Sequence, residues 1–265
     1  MPQHSPPKFT DGGGYEKMMG RWSQVAGQLF LDFLAPARGL HWLDVGCGNG
    51  AFTELLFSQA GAAKVTGIDP SDGLIETARV RLQAHDTDLI VGDAQSLPFA
   101  DQQFDAAVMA LVINFLPDPP KAVSEMVRVV RPGGTLSSYI WDIEGGGFTM
   151  EPIRVALSGL GIEAPVTGPD KARRDYMEQV WESFGLEEIS STRMDVPLIY
   201  ADFEDFWSSS TGIPNSVANV VKSLSESDQS RLKEGLRETL ATGPDGTVSY
   251  TAAINATQGR VPNSP

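Results

Sequence analysis

Short apolar runs alternate with segments that carry apolar residues at helical spacing through the first 141 residues of the chain. The run at 104–113 is apolar almost throughout, which is typical of a central strand in a parallel sheet covered on both faces. Helical segments lie between the runs, at 51–60, 72–84 and 120–130, and a fifth strand is expected at 135–141. This alternation predicts a doubly wound α/β fold with right-handed crossovers.

The rhythm loosens beyond Trp141. The pattern there predicts helices at 151–160, 171–184, 202–209 and 216–240, and strands at 186–197 and 247–256. At the other end, a helical pattern that starts at Tyr15 stops near Pro36. Residues 1–14 are rich in Pro and Gly, so we expect a disordered tail there.

The first apolar run ends in three alternating glycines, Gly46, Gly48 and Gly50, and a helical pattern begins directly after them. Glycines let the backbone adopt positive φ and approach a ligand closely, and a helix N-terminus presents unpaired N–H groups. The loop is therefore a candidate site for a nucleotide-like or anionic ligand. Because Gly46, Gly48 and Ala51 also satisfy the dinucleotide fingerprint, the loop alone leaves a nicotinamide dinucleotide open.

Three acids stand where predicted strands end. Asp44 comes two residues before the first glycine, where it can reach a bound amino group. Asp69 ends the second run about twenty residues after the loop, at the position from which a carboxylate binds ribose hydroxyls. Asp93 ends the third run, where a carboxylate can accept a hydrogen bond from an exocyclic amine.

These acids, with Leu97-Pro98-Phe99 and Arg131-Pro132-Gly133-Gly134, resemble the class I S-adenosylmethionine-dependent methyltransferases. Similarity is greatest to the small-molecule branch that includes ubiquinone and menaquinone biosynthesis enzymes, and it covers about 15–139. The resemblance implies a Rossmann-like seven-stranded sheet whose final two strands pair antiparallel at the edge. It also implies one domain at 15–265, with a cofactor-binding core at about 36–142 and helical cap insertions at about 143–185 and 201–245.

The same resemblance implies the cofactor S-adenosyl-L-methionine and a role for several residues. Asp44 would lie near the methionine amine, Asp69 would hold the ribose, and Asp93 would read the adenine. In an N-terminal lid, Arg21 would pair with the cofactor carboxylate and Tyr15 would cover the methyl group; a surface arginine and a packed tyrosine are equally open. The cofactor-binding residues implied are Tyr15, Arg21, Asp44, Gly46, Gly48, Gly50, Asp69, Pro70, Asp93, Ala94, Leu111 and Asn114.

Methyl transfer from a sulfonium mainly requires alignment of the nucleophile and exclusion of water, so the sequence need not show a conspicuous catalytic set. Asp142 and Glu144 follow the fifth strand and are candidates for a general base, with Tyr15 as a third candidate near the methyl group. The alternative is that the two acids simply solvate a glycine-rich loop. No metal site is expected.

The charge and composition of the chain limit the binding partners and the compartment that we expect. The chain of 265 residues has a net charge of −14, which disfavours phosphate backbones and anionic lipid as binding partners. No apolar run is long enough for a membrane span, and the single Cys47 fits a reducing compartment. We therefore expect a cytoplasmic monomer or homodimer that binds no nucleic acid and no membrane.

The function expected is methyl transfer to an O, N or C nucleophile of a small, hydrophobic or aromatic molecule. Two alternatives stay open. A non-catalytic S-adenosylmethionine-binding or scaffolding protein would need no base, and an NAD-dependent oxidoreductase would use the glycine loop and Asp69.

Overall fold

A computed structural model describes residues 21–212 and 215–263. The predicted tail at 1–14 and the candidate Tyr15 lie outside these residues. Within them, no helix is both long enough and apolar enough to cross a membrane.

The elements alternate between strand and helix through the first half of the chain, as the apolar pattern predicts. The helices are α1 (Arg21–Leu34), α2 (Ala51–Ser58), α3 (Asp72–Arg81), α4 (Pro119–Val129), α5 (Glu151–Gly159), α6 (Arg174–Ser183), α7 (Phe203–Thr211), α8 (Ser216–Ser223) and α9 (Glu226–Thr239). The strands are β1 (His41–Val45), β2 (Lys64–Asp69), β3 (Thr87–Val91), β4 (Phe104–Ala110), β5 (Val130–Trp141), β6 (Glu187–Tyr200), β7 (Ala241–Thr242) and β8 (Val248–Arg260).

One sheet contains all of these strands, in the order β3-β2-β1-β4-β5-β8-β6, with β7 paired to β8 beside this path. Strands β1 to β5 pair in parallel, whereas β8 runs antiparallel to both β5 and β6. The predicted doubly wound α/β sheet with an antiparallel edge is confirmed. The two-residue strand β7 is an addition that the pattern did not predict.

The strand order reverses between β1 and β4. From β1 the chain moves outward to β2, and from β4 it moves the other way to β5, so right-handed crossovers place α2 and α4 on opposite faces. On the α2 face, a tilted ring contact joins Phe30 of α1 to Tyr139 of β5 at a centroid distance of 4.5 Å. The carboxyl ends of β1 and β4 therefore open a crevice at the reversal, where open α/β sheets bind ligands.

Several predicted boundaries were wrong, among them the start of β5, which lies at Val130 and not at 135. Strand β4 ends at Ala110, not at 113, because Leu111 adopts a φ of 61° and turns the chain into a short 3₁₀ helix at Ile113–Phe115. The single helix predicted at 216–240 is two helices, since the Ser225 hydroxyl accepts a hydrogen bond from the Asp228 N–H at 3.1 Å and caps α9.

Of the helices after β5, one packs on the sheet and the others pack mainly on one another. Helix α6 packs on the sheet against β6 and β8, whereas α5 packs against α9, and α7 against α8. Helices inserted after different strands therefore contact one another, as a single cap would require. The Lys233 ammonium over the Trp207 ring, at 4.8 Å from its centroid, adds a tie between α9 and α7.

Candidate cofactor and active site

The glycine loop between β1 and α2 is built on positive φ angles. Gly46, Gly48 and Gly50 have φ of 78°, 54° and 80°, a region that side chains with a Cβ adopt at a cost of about 1–2 kcal/mol. Gly46 has a second reason to lack a side chain, because a Cβ there would lie 2.4 Å from Cγ2 of Val112. This contact joins the loop after β1 to the segment after β4.

The carboxylate of Asp69 is fixed at the end of β2. Its Oδ2 accepts from the Gly48 N–H at 3.0 Å, and its Oδ1 accepts from the Ser71 N–H at 2.9 Å. Burial raises the pKa of Asp69, and the two backbone hydrogen bonds oppose that rise. Each carboxylate oxygen accepts one backbone N–H and retains a second lone pair for a ligand hydroxyl.

Asp44 lies beneath the loop and is completely buried. The Thr53 hydroxyl of α2 donates to its Oδ2 at 2.7 Å, while Oδ1 has no hydrogen-bond partner among the described residues. Burial raises the pKa of Asp44 to about 7. A carboxylate left in this state is suited to a cationic ligand group that donates to the unused oxygen and restores the charged form.

Two further buried side chains near the loop have unused polar atoms. The Oδ1 of Asn49, in the loop, accepts a hydrogen bond from the Ala51 N–H at 3.3 Å, and its Nδ2 has no partner within the described ranges. Asn114 follows Val112, which packs on Gly46; its Nδ2 donates to the Thr167 carbonyl at 3.0 Å, and its Oδ1 is unpartnered in the same sense. Buried polar atoms in proteins are normally paired, so these atoms point to a polar ligand.

Asp93 and Ala94 follow β3 on the same edge of the sheet as Asp69. Asp93 is exposed, and its Oδ1 accepts from the Gln95 N–H at 2.9 Å, whereas Ala94 is buried. Pro70 follows Asp69 directly and is exposed. The structure thus brings the two acids predicted to hold an adenosine to neighbouring strand ends.

Leu111 and Asn114 occupy the strand end on the other side of β1. The Leu111 N–H donates to the Tyr139 carbonyl at 2.9 Å, which fixes the left-handed turn after β4. Gly168 packs directly on the Asn114 carbonyl, where a Cβ would lie at 2.3 Å. A segment after α5 therefore covers the end of β4.

Arg21 lies at the start of α1 with half of its side chain exposed. Its guanidinium sits 4.1 Å from the Trp22 ring centroid and 5.5 Å from that of Tyr200, and its Nη1 is 3.5 Å from Asp205 Oδ2. These contacts place Arg21 beside α7 and the end of β6. Its pairing with a cofactor carboxylate stays a prediction, as does the role of Tyr15 outside the described residues.

The two candidate bases differ sharply. Asp142 is buried, and its carboxylate accepts from Arg193 Nε at 2.7 Å, from Asn255 Nδ2 at 3.0 Å and from the Gly145 N–H at 3.1 Å. Glu144 is exposed, with Arg173 Nε at 3.9 Å from its Oε2. One cation and two neutral donors already bind this carboxylate, so the geometry favours a structural role for Asp142.

Sequence reasoning missed Thr53, Asn49 and the covering segment at Thr167-Gly168. Thr53 lies three residues after Gly50 on the first turn of α2, a position from which a hydroxyl can point back to the strand end. That spacing was an available signal. Nothing local to Thr167 indicates that the chain folds back over Asn114, because the two residues are 53 positions apart.

Part of the chain is similar to known proteins. A family model described as "Methyltransferase domain" matches residues 43–138, from β1 to β5. The demethylmenaquinone methyltransferase of Renibacterium salmoninarum is 37% identical over 116 residues, which cover 44% of this chain and 46% of that protein. The ubiquinone/menaquinone biosynthesis C-methyltransferase of Roseobacter denitrificans is 34% identical over 113 residues, covering 41% and 45%.

The chain thus spans about half the length of the curated relatives it matches. Among solved structures, phosphoethanolamine N-methyltransferase 2 of Haemonchus contortus, in complex with S-adenosyl-L-methionine, superposes with a TM-score of 0.57 at 20% identity. That match covers 94% of this chain and 56% of the other, and it shows the shared fold. Residues 43–138 thus match a methyltransferase domain, and the sheet order and glycine loop agree with the class I S-adenosylmethionine-dependent methyltransferases that the sequence resembles.

Proposed function

We propose that this protein transfers a methyl group from S-adenosylmethionine to an O, N or C nucleophile of a small, hydrophobic or aromatic molecule. The observation that carries the proposal is the buried Asp44 with one carboxylate oxygen that has no hydrogen-bond partner among the described residues, together with the Asn114 Oδ1, which has none there either. Both atoms accept hydrogen bonds, and the α-ammonium of an amino acid donates three. The cofactor's methionine end supplies such a group.

The same atoms argue against a dinucleotide. A diphosphate at the glycine loop would place negative charge beside Asp44 and Asp69. Burial already disfavours the charged form of Asp44, and the diphosphate would disfavour it further. An ammonium in that position instead stabilises the charged carboxylate. The acids thus favour S-adenosylmethionine over a nicotinamide cofactor for this loop.

Each strand end has a proposed task. Asp69 accepts hydrogen bonds from the ribose hydroxyls, Asp93 accepts from the adenine amine, and the unused Asn49 Nδ2 provides a donor for the cofactor carboxylate. When bound, the cofactor supplies an electrophilic methyl group on a sulfonium. The protein's contribution is to align this end with the acceptor and to exclude water, which accounts for a large share of many enzymatic rate enhancements.

Proton removal is not assigned to Asp142, because its carboxylate is engaged by Arg193 and Asn255. An acceptor that is already nucleophilic, such as a phenolate, an enolate carbon or a free amine, fits a site whose chemistry is alignment. The names of the two relatives support an aromatic, quinone-like acceptor. The matched residues end in β5, so the match does not determine which aromatic ring the cap helices bind.

The test is transfer of labelled methyl from S-adenosylmethionine to a panel of phenols, quinols and amines. The wild-type protein should label at least one aromatic acceptor, and Asp69→Ala should lose transfer at low cofactor concentration. If the protein binds the cofactor but labels none of the panel, the non-catalytic alternative replaces this proposal.

A further inference from the structure

Helix α4 holds the loop that carries Asp93, and it does so at both of its ends. At the helix start, Gln95 Oε1 accepts from the Asp118 N–H at 3.0 Å, and Asp118 is the N-cap of α4. The Gln95 Nε2 lies 3.4 Å from each carboxylate oxygen of Asp93. Gln95 therefore links the orientation of the Asp93 carboxylate to the helix.

At the other end of α4, Glu125 and Arg128 bind the backbone of the same loop. Glu125 Oε2 accepts from the Leu97 N–H at 2.8 Å. Arg128 donates to the Leu97 carbonyl at 3.0 Å and, through Nη1, to the Phe99 carbonyl at 2.8 Å. Three backbone groups of the Leu97-Pro98-Phe99 motif are thus held by two side chains.

The two side chains also hold each other. Arg128 Nε and Nη2 donate to the two carboxylate oxygens of Glu125, each at 2.8 Å, and Nη1 donates to Asp101 Oδ1 at 2.9 Å. A guanidinium paired with a carboxylate in this forked geometry is more rigid than a single ion pair. Hydrogen bonding to Arg128 lowers the pKa of Glu125 accordingly.

We propose that Gln95 and Arg128 are positioning residues, which hold the Asp93-Ala94 loop in the geometry that recognises the exocyclic amine of an adenine-type base. The inference rests on the proposed function, in which Asp93 reads that amine. Asp93 is exposed, and its carboxylate is held by the Gln95 N–H at 2.9 Å and by the Gln95 side-chain amide. Its geometry therefore depends on Gln95 and on the loop backbone that Arg128 secures.

The test compares two ligands that differ only in the group to be recognised. S-adenosylhomocysteine carries the 6-amino group, whereas the analogue with unsubstituted purine in place of adenine carries only a hydrogen there and keeps N1 unprotonated, so it offers the Asp93 carboxylate no N–H donor. Calorimetric affinities of the full chain for both ligands give a discrimination ratio. A merely structural role would weaken both ligands together and leave the ratio unchanged.

The variants are Gln95→Ala and Arg128→Lys, which keeps the charge but removes the fork. Arg131→Ala is the matched control, because Arg131 lies outside the loop and pairs instead with Asp105 at 3.0 Å. The wild type should prefer S-adenosylhomocysteine by about tenfold or more, as expected for a hydrogen bond to a charged group. The ratio should fall towards one in both loop variants and stay at the wild-type value in Arg131→Ala.

Each result has a separate meaning. An unchanged ratio in folded Gln95→Ala and Arg128→Lys proteins overturns the positioning role while leaving the proposed function standing, since the ligand still binds. Equal loss in Arg131→Ala, or no discrimination by the wild type, overturns it too. Failure of the wild type to bind S-adenosylhomocysteine at all overturns the proposed function itself.

Discussion

Replacing Asp44 by Asn should stabilise the free protein at alkaline pH and weaken cofactor binding. Asp44 is fully buried, with one oxygen bonded to Thr53 and the other unpartnered among the described residues. Asn keeps the shape and the acceptor for Thr53 but carries no charge. The native Asp44 carboxylate is therefore expected to destabilise the ligand-free protein while it strengthens cofactor binding.

The magnitude follows from the shift in pKa. Burial raises the pKa of Asp44 from 3.8 to about 7, a difference worth about 4 kcal/mol at 1.36 kcal/mol per unit. Between these two values the native state binds more protons than the unfolded state, so stability falls as pH rises and the full cost is present above about pH 7. An unpartnered amide N–H in the variant costs about 1–3 kcal/mol. Asp44→Asn should thus gain about 2 kcal/mol at pH 8 and about zero at pH 5.

Urea unfolding of both proteins without ligand at pH 5 and pH 8 measures this difference, with Asp86→Asn, at an exposed position, as the control. At pH 8 the Asp44 variant should also bind S-adenosylhomocysteine at least tenfold more weakly, since an ammonium loses a charged acceptor. A stability difference that is the same at both pH values, or a variant less stable than wild type at pH 8, would refute the argument.

Further expectations concern the loop, the ribose and the proposed absence of a general base. Asp69→Ala should weaken binding of S-adenosylhomocysteine by about 1–3 kcal/mol in calorimetry, through lost hydrogen bonds to a charged acceptor. Unchanged affinity in a folded variant would show that Asp69 does not bind the ribose. Gly46→Ala should lower the free energy of unfolding in urea more than Gly48→Ala, because a Cβ at Gly46 meets Val112 at 2.4 Å and one at Gly48 meets no described residue within 4 Å. The Gly48 variant should lose only about 1–2 kcal/mol for its positive φ, and equal costs would contradict the contact. Asp142→Asn should keep more than about a tenth of the methyl-transfer rate in a folded protein, since a general base contributes about 10²–10⁴-fold; a loss of that size, with an altered pH profile, would make Asp142 the base.

The order of elements could be predicted because strands and helices each leave a characteristic pattern of apolar residues in the sequence. The central strand β4 is read from its continuous apolar run, and the start of α3 from Ser71, whose hydroxyl accepts from the Leu74 N–H. The end of β4 could not be read in the same way. Leu111 takes a positive φ that its residue type disfavours, and only its hydrogen bond to Tyr139 on β5 explains the turn.

The candidate site divides along similar lines. Asp44, Asp69 and Asp93 are visible in the sequence, because each directly follows or ends an apolar run. Their partners are visible only in three dimensions. The ion pair of Arg193 with Asp142 joins residues 51 positions apart, and it favours a structural role for Asp142 over that of a general base.

The central claim is that the glycine loop and its acids bind S-adenosylmethionine. Calorimetric titration of the purified protein with S-adenosylmethionine, S-adenosylhomocysteine and NAD in parallel tests it most directly. The structure predicts saturable binding of the first two ligands and none of NAD, with affinity falling as the pH drops below about 7 because Asp44 then becomes protonated. Binding of NAD, or of none of the three, would contradict the account.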